Sequence, residues 1–431
     1  MAGRTNGQRQ LADRRGNQMT LRELIQSRRR LPVQSDYPSI LHSPRVAARV
    51  GLWLGITFTL CFITGLLSHL IQHPPSWFGW PTRPIWLYRL TQGVHITSGI
   101  ASIPLLGIKL WVVTPRFWRR PLLTGLVNAL ERLSILVLIA SAAFELIGGL
   151  LNVAEFYPWT YFFPSVHFAV GWIVIGALLV HIAVKLPVIR NALSRPVSAD
   201  DPPAHDVERE SVTSADAVDA ATAGVTVDTA PEHQGSLSRR GLLGIAAGAV
   251  GIGTLATVGD RIPALQKISV LAQRSGAGPQ GLPVNRSAQA AGVIKAANDP
   301  SWRLTVNGPT GVIQFSLADL QRLPQHSADL PIACVEGWAR QANWTGVRLA
   351  DLLTAAGAGP QAAARVNSLD TGTYGHSDVP ATVCRDPLTL VALKLNGQVL
   401  DVDHGYPARL IAPARPGVLQ TKWLSRIDVT A

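Results

Sequence analysis

Four long apolar runs occupy the first half of the chain, at about 46–71, 91–113, 126–151 and 162–186. Each is long enough to cross the hydrocarbon core of a bilayer as a helix, which takes about 20 residues. A fifth, milder run rich in Gly and Ala follows Arg240 and reaches about Val258. Beyond about residue 299 the pattern changes. Short β-type segments appear (RLTVNG, VIQFSL, LTLVALKLNG, ARLIAP), separated by Gly, Pro and Asp turns. The pattern predicts a multi-domain membrane protein: an all-α transmembrane bundle of four helices plus a fifth export or anchor helix, then a mixed α+β, mainly β, domain.

Charge orients the spans. Residues 1–45 form a basic tail with nine Arg against three acids, directly ahead of the first apolar run. We read it as the cytoplasmic flank of a helix rather than a nucleic-acid arm. Arg116, Arg119 and Arg120 mark the second loop as cytoplasmic, and Lys185, Arg190 and Arg195 return the chain there. The loop from Glu155 to Trp159 has no Lys or Arg and is expected outside. The loop HPPSWFGWPTRPIW after the first span has the Trp and Pro content of a structured interfacial segment. The four spans make up 46–190. Residues 191–237, without aromatics or apolar period, read as a disordered acidic cytoplasmic linker. Residues 259–298 read as an external tether, and 299–431 as the outer domain.

Composition agrees: 47% hydrophobic residues, 15% charged and 12 Trp. The net charge of +12 is concentrated at membrane flanks, so no nucleic acid is expected as a partner. Cys61, Cys334 and Cys384 have no CxxC spacing, which excludes a zinc ribbon and a disulfide-rich scaffold. No GxGxxG, Walker or HExxH pattern appears.

The stretch Leu330–Leu353, LPIACVEGWARQANWTGVRLADLL, starts as a buried strand and ends with apolar residues at 347, 349, 352 and 353, the spacing of a short helix. Cys334 falls where the strand gives way to a loop. CVEGW and NWTGVRLADLL, followed by LNGQVLDVDHGYPARLIAP and GVLQTKWLSRIDV, resemble the molybdopterin-binding oxidoreductase domain of the sulfite oxidase family. The resemblance covers roughly residues 300–431 and implies a sulfite-oxidase-like fold with Mo-molybdopterin as cofactor. It implies that Cys334 ligates molybdenum, as a soft thiolate donor can. The competing readings are a buried structural cysteine or a disulfide with Cys384. It further implies that His404, Arg409 and Lys422 hold the cofactor or an anion, with Arg409 also catalytic. Tyr374 would line the substrate pocket, with Arg340 and His376 weaker candidates. The outer domain is too short for the additional sandwich domain of sulfite oxidases.

Ionisable groups inside spans are costly and mark function. His95 and His167 sit near the outer ends of the second and fourth runs, at one depth, as two axial ligands of haem b would. Interhelical hydrogen bonding is the plain alternative. His181 lies fourteen residues beyond His167, roughly 21 Å deeper at the helical rise, the spacing of a second haem. Its counterpart on the second run, however, is Lys109. His69 and His73 are other candidates for the outer site.

Arg239 and Arg240 in Ser236-Leu237-Ser238-Arg239-Arg240-Gly241-Leu242-Leu243 have the twin-arginine export pattern, or else are the positive flank of an ordinary fifth helix. In the family resembled, the cofactor is inserted in the cytoplasm, so its domain must cross the membrane folded, and the export pattern fits that need. The expectation is a multi-pass protein of a bacterial cell membrane with its N-terminus cytoplasmic and its C-terminal domain outside. Its reaction would be oxygen-atom transfer on sulfite, a sulfoxide or a similar small molecule, with membrane lipid around it and a quinone or redox partner exchanging electrons. The rivals are a haem-only transmembrane electron-transfer protein and an anchored binding module without cofactor.

Overall fold

The computed structural model describes residues 40–118, 125–154, 156–197, 237–258, 269 and 278–430. Most of the N-terminal basic tail, Arg119, Arg120, Glu155, most of the acidic linker and the first part of the tether lie outside the described residues.

Five apolar helices build the N-terminal half: α1 Pro44–Gln72, α2 Leu87–Phe117, α3 Leu126–Val153, α4 Phe163–Ser194 and α5 Arg239–Val258. All five are long and apolar enough to cross a membrane. Helix α1 starts where Ser43 accepts a hydrogen bond from the Arg45 amide and Pro44 takes the first helical position. There the missing Pro N–H costs nothing. Large apolar side chains point outward: Leu52, Ile56, Leu60 and Ile63 on α1, and Leu179, Ile182 and Val188 on α4, are all exposed. That arrangement suits a lipid surround. Helix α5 packs against α1 and α2 through Leu242 and Ala246, which join Val46, Ala47, Val50, Leu105 and Val112 in one cluster. Small residues on its face permit that close approach.

The C-terminal domain consists of two five-stranded sheets. In the first, β2 (Gly311–Ser316), β1 (Arg303–Gly308), β10 (Leu424–Thr430), β5 (Ala363–Ser368) and β6 (His376–Val379) lie in that order, with β1 and β10 parallel. The second runs β3 (His326–Ala333), β4 (Ala339–Arg348), β7 (Leu390–Leu395), β8 (Gln398–Val399), and β9 (Arg409–Ile411) also pairs with β7. Strand β7 explains the layering. Its period of two sends Val391 and Leu393 into the core shared with the first sheet. Leu390 and Ala392 go into a separate core that holds Cys334, and Leu395 joins it past an irregularity in the pairing with β4 at Thr345/Gly346. A strand apolar on both faces is a strand buried on both faces.

Two boundaries differ from the sequence reading. The helix placed over Val347–Leu353 forms at Leu349–Ala355, and Val347 and Arg348 finish β4. Pairing with β3 on one side and β7 on the other outweighs the helical spacing there. Residues 278–298, assigned to the tether, pack onto the sheets: Leu282, Ala288, Val293 and Ala297 are buried.

Leu304 on β1 is fully buried in the core between the sheets. Leu304→Ala should cost about 2–5 kcal/mol, the range for emptying such a site. Denaturant unfolding of the detergent-purified chain, followed by Trp fluorescence, measures it. A loss well under 1 kcal/mol would mean that the two sheets do not share this core.

Candidate functional site

Cys334 stands at the end of β3, in a turn closed by hydrogen bonds from its amide to the Trp338 carbonyl (2.9 Å) and from the Gly337 amide to the Cys334 carbonyl (3.2 Å). Gly337 has φ 109°, a conformation that side-chain-bearing residues rarely adopt. The CVEGW motif is therefore a hairpin tip that presents one thiol. Its Sγ donates to Glu336 Oε2 at 3.5 Å and receives Asn285 Nδ2 at 3.8 Å. Neither Cys334 nor Cys384 is in a disulfide; Cys384 is buried elsewhere and bonds the Val379 carbonyl. Burial pushes the Cys384 thiol up to about 11, which suits a core residue.

Cys334, His404, Arg409 and Lys422 line one pocket, together with Leu282, Asn285 and Trp338. Gly405 makes this convergence possible. A Cβ there would lie 3.0 Å from Arg409 Cβ and 3.1 Å from Lys422 Cβ, and its φ is 110°. Arg409 is buried (2% exposed), lies 5.1 Å from the Trp344 ring centre, and donates to the carbonyls of His404 (3.0 Å) and Gln420 (3.1 Å). Desolvation pulls its guanidinium down to about 9. Its Nε and the indole Nε1 of Trp338 are buried donors with no acceptor. Lys422 Nζ holds the carbonyls of Arg286 (3.0 Å) and Asp403 (2.8 Å). His404 Nε2 meets the Pro279 carbonyl at 2.7 Å. The cavity among these groups is narrow, about 20 Å³, and Leu282, Pro283 and Asn285 form part of its wall.

Tyr374 is 38% exposed and faces a residue of the bundle, Phe162, at 6.3 Å between ring centres. Burial, with Cys334 and Glu336 nearby, pushes its phenol up to about 12. Tyr157, from the loop between α3 and α4, is pushed up to about 12 by burial and the same two groups. One bundle loop and one domain loop thus meet over Cys334. Arg340 lies on β4 and bonds the Ala339 carbonyl; His376 opens β6 and is exposed.

The larger cavity, about 250 Å³, is in the bundle, lined among others by His69, His73, His95, Glu145 and His167, with Val335 at its outer end. The rings of His95 and His167 are 6.2 Å apart and perpendicular. His95 Nδ1 lies 2.8 Å from the Cys61 carbonyl, and His167 Nδ1 lies 2.6 Å from Glu145 Oε2, close but not aligned as a hydrogen bond. Each Nδ1 thus faces an acceptor, which leaves Nε2 for another partner. A Cβ on Gly65 would lie 2.8 Å from His95 Cε1, so α1 comes close only because it has glycine there. The inner half differs. Lys109 reaches the Ala47 carbonyl at 2.6 Å and fills the space beside Gly51, opposite the level of His181. His69 stacks on Phe168.

Sequence reasoning overlooked Asn285, Trp338, Glu145, Gln92 and Tyr157. A lone carboxylate in an apolar run was a readable signal for Glu145; the others become visible only in three dimensions.

The class of the outer domain follows from this pocket and from its relatives. Residues 291–431 match the family model described as "Oxidoreductase molybdopterin binding domain", and the C-terminal region is a mostly-β, sulfite-oxidase-like molybdopterin-binding oxidoreductase domain. The chain is 32% identical to the mitochondrial sulfite oxidase of Mus musculus over 161 residues, 30% of this chain and 30% of that protein. It is 40% identical to the NADPH nitrate reductase of Fusarium oxysporum over 97 residues, 21% of this chain and 10% of that one. The crystal structure of sulfane dehydrogenase SoxCD from Paracoccus pantotrophus aligns with 30% of this chain and 38% of its own, at 25% identity and a TM-score of 0.28. The chain spans less than a third of the length of the sulfite oxidase and nitrate reductase named here.

Burial lowers His404 to about 4 from the ordinary 6.5. Between those values the unfolded chain binds a proton that the folded chain refuses. The contribution of His404 to stability is therefore complete above pH 6.5 and lost as pH falls toward 4. His404→Asn should flatten the decline in stability over that window. Equal slopes for variant and wild type, from urea unfolding at pH 4.5 and 7, would contradict this assignment.

Proposed function

We propose that the chain is a membrane-bound molybdopterin-dependent oxidoreductase that transfers an oxygen atom at a molybdenum centre held by Cys334 and exchanges the electrons with the membrane through its helical bundle. The observation that carries the first part is the convergence of Cys334, His404, Arg409 and Lys422 on one pocket. These residues come from three separate stretches of sequence. Two buried donors without acceptors, Arg409 Nε and Trp338 Nε1, fit the acceptor-rich pterin and phosphate of the cofactor. The guanidinium, buried without a carboxylate of its own, fits an anion. Cys334 would supply the protein thiolate, Arg409 and Lys422 the cationic contacts, and Asn285 a donor beside the sulfur. Leu282, Pro283 and Asn285 line the same pocket, with Asn285 Nδ2 3.8 Å from the Cys334 sulfur.

Bound molybdenum supplies two-electron oxygen-atom chemistry. The balance is XO + quinol ⇌ X + quinone + H2O, where X and XO are a pair such as sulfite and sulfate or a thioether and its sulfoxide. Tyr374 and Tyr157, both protonated at neutral pH and both influenced by Cys334 and Glu336, would serve as hydroxyl donors to a substrate oxygen. Glu336 lies within reach of the thiol as a proton acceptor.

For the second part, His95 and His167 fit one haem b. Their ring separation admits a single metal centre, and both Nδ1 atoms face acceptors. No group of three or more His, Cys, Asp or Glu side chains gathers among the described residues, so a metal here must bring most of its ligands within a cofactor. Lys109 fills the inner position, which supports one haem rather than two. We place the outer domain on the extracytoplasmic side, delivered by the Arg239-Arg240 pair at the start of α5. The size of the bundle cavity favours, as a second reading, a haem-only electron-transfer protein.

Metal analysis with a reduced-minus-oxidised visible spectrum of the detergent-purified chain separates the two. The expected result is about one molybdenum and one b-type haem per chain. Cys334→Ala should keep fold and haem but lose activity, and His95→Ala or His167→Ala should lose the haem band and keep molybdenum. Full activity in Cys334→Ala would overturn the site; haem without molybdenum in the wild type would favour the second reading.

A further inference from the structure

The outer domain and the bundle meet through groups that neither could bury alone. Gln92 on α2 is only 4% exposed, and its Nε2 donates to the Val335 carbonyl at 2.9 Å. Asp386 of the domain is buried and receives Arg83 of the α1–α2 loop at two oxygens, 2.7 and 3.0 Å. Trp80 Nε1 of the same loop donates to the Ala414 carbonyl at 2.8 Å. Around these contacts Ile71 and Tyr88 of the bundle pack on Ala333 and Ala339 of the domain. A buried amide or carboxylate is costly without a partner, and each of these finds one across the boundary. The geometry is that of a built interface rather than a loosely tethered domain.

Gln92 stands at the centre of it. His95 follows three residues later on the same helix, so the two side chains share a face. Val335, whose carbonyl Gln92 holds, follows Cys334 directly and lines the cavity of His95 and His167. Cys334 and His95 are thus joined by one peptide unit, one hydrogen bond and one turn of helix.

We propose that Gln92 is the positioning residue that locks the Cys334 hairpin onto the outer end of the bundle, making the bundle itself, rather than a diffusing protein, the electron partner of the Cys334 site. The inference rests on the reading above of Cys334 and of His95 with His167. It adds that the domain face carrying the hairpin is covered by the bundle, leaving room for a small substrate and none for a soluble carrier protein. The Phe162–Tyr374 ring contact continues this closure along the loop between α3 and α4.

The test uses the full-length, cofactor-loaded protein in detergent and the variant Gln92→Met, which keeps length and bulk but removes the donor. Hydrogen–deuterium exchange of the peptide covering 330–342 reads the lock without reference to activity. About ten-fold faster exchange is expected at the Cys334 and Gly337 amides, the scale of one lost buried hydrogen bond. Haem and molybdenum contents should be unchanged. Reduction of molybdenum to its EPR-active Mo(V) state by a membrane-soluble quinol should slow at least ten-fold, while reduction by dithionite keeps its wild-type rate. Wild-type exchange together with wild-type quinol reduction in Gln92→Met would overturn the proposal. Should Gln92→Met fold poorly, Arg83→Ala, at a half-exposed position, loosens the same interface and is expected to raise exchange over 380–390 and slow quinol reduction; no change in either overturns it. A wild-type protein without haem would sink the electron-transfer reading, while faster exchange in Gln92→Met would still establish the lock.

Discussion

A guanidinium buried without a carboxylate is the constraint around which the C-terminal domain is arranged. Arg409 is held by two backbone carbonyls and the face of Trp344, and desolvation alone lowers its basicity. Such a charge is tolerated only where geometry is enforced from several directions. Gly405 permits the close approach, β9 fixes the backbone, and the turn around Lys422 closes the other side. An anionic group arriving there would relieve the desolvation cost and satisfy the orphan Nε. The domain thus keeps an energetic deficit that its proposed cofactor would offset.

The same logic operates in the bundle with hydrogen bonds in place of charge. In a bilayer every polar group must find its partner within the protein. His95 finds the Cys61 carbonyl, His167 approaches Glu145, and Lys109 takes the Ala47 carbonyl. The outer and inner halves therefore differ in kind. Two histidines around a cavity occupy the outer half, and a lysine that fills its own space occupies the inner half. The asymmetry places the open volume beside the C-terminal domain, whose Val335 reaches the cavity wall.

Much of the plan was legible along the chain, because the signals were local. The five apolar runs match α1–α5 to within a few residues at most ends, since length and composition alone make a span. The segments RLTVNG, VIQFSL and ARLIAP became β1, β2 and β9, where apolar alternation and turn residues agree. Cys334 was legible as a strand-end thiol, and the motifs around it matched a family whose domain residues 291–431 carry. The helix expected at Val347 failed for a non-local reason. Its apolar spacing suited a helix, but two neighbouring strands claimed the backbone up to Arg348.

What the sequence determined by itself was the kind of most elements, the number of long apolar helices and the place of the Cys334 thiol at a strand end, because hydrophobic period, run length and motif spacing act over a few residues. Tertiary structure alone decided that Leu282, Pro283 and Asn285 line the Cys334 pocket and that Lys109 fills the space beside Gly51. It also decided that Gln92 meets a carbonyl 243 residues away. A segment such as GLPVNR has the composition of a linker, and only the surface it covers makes it part of a site. Gln92 reads as one polar residue near the end of an apolar run. Its partner is a backbone carbonyl, a group every residue has, so no pattern of side chains could have announced the pair.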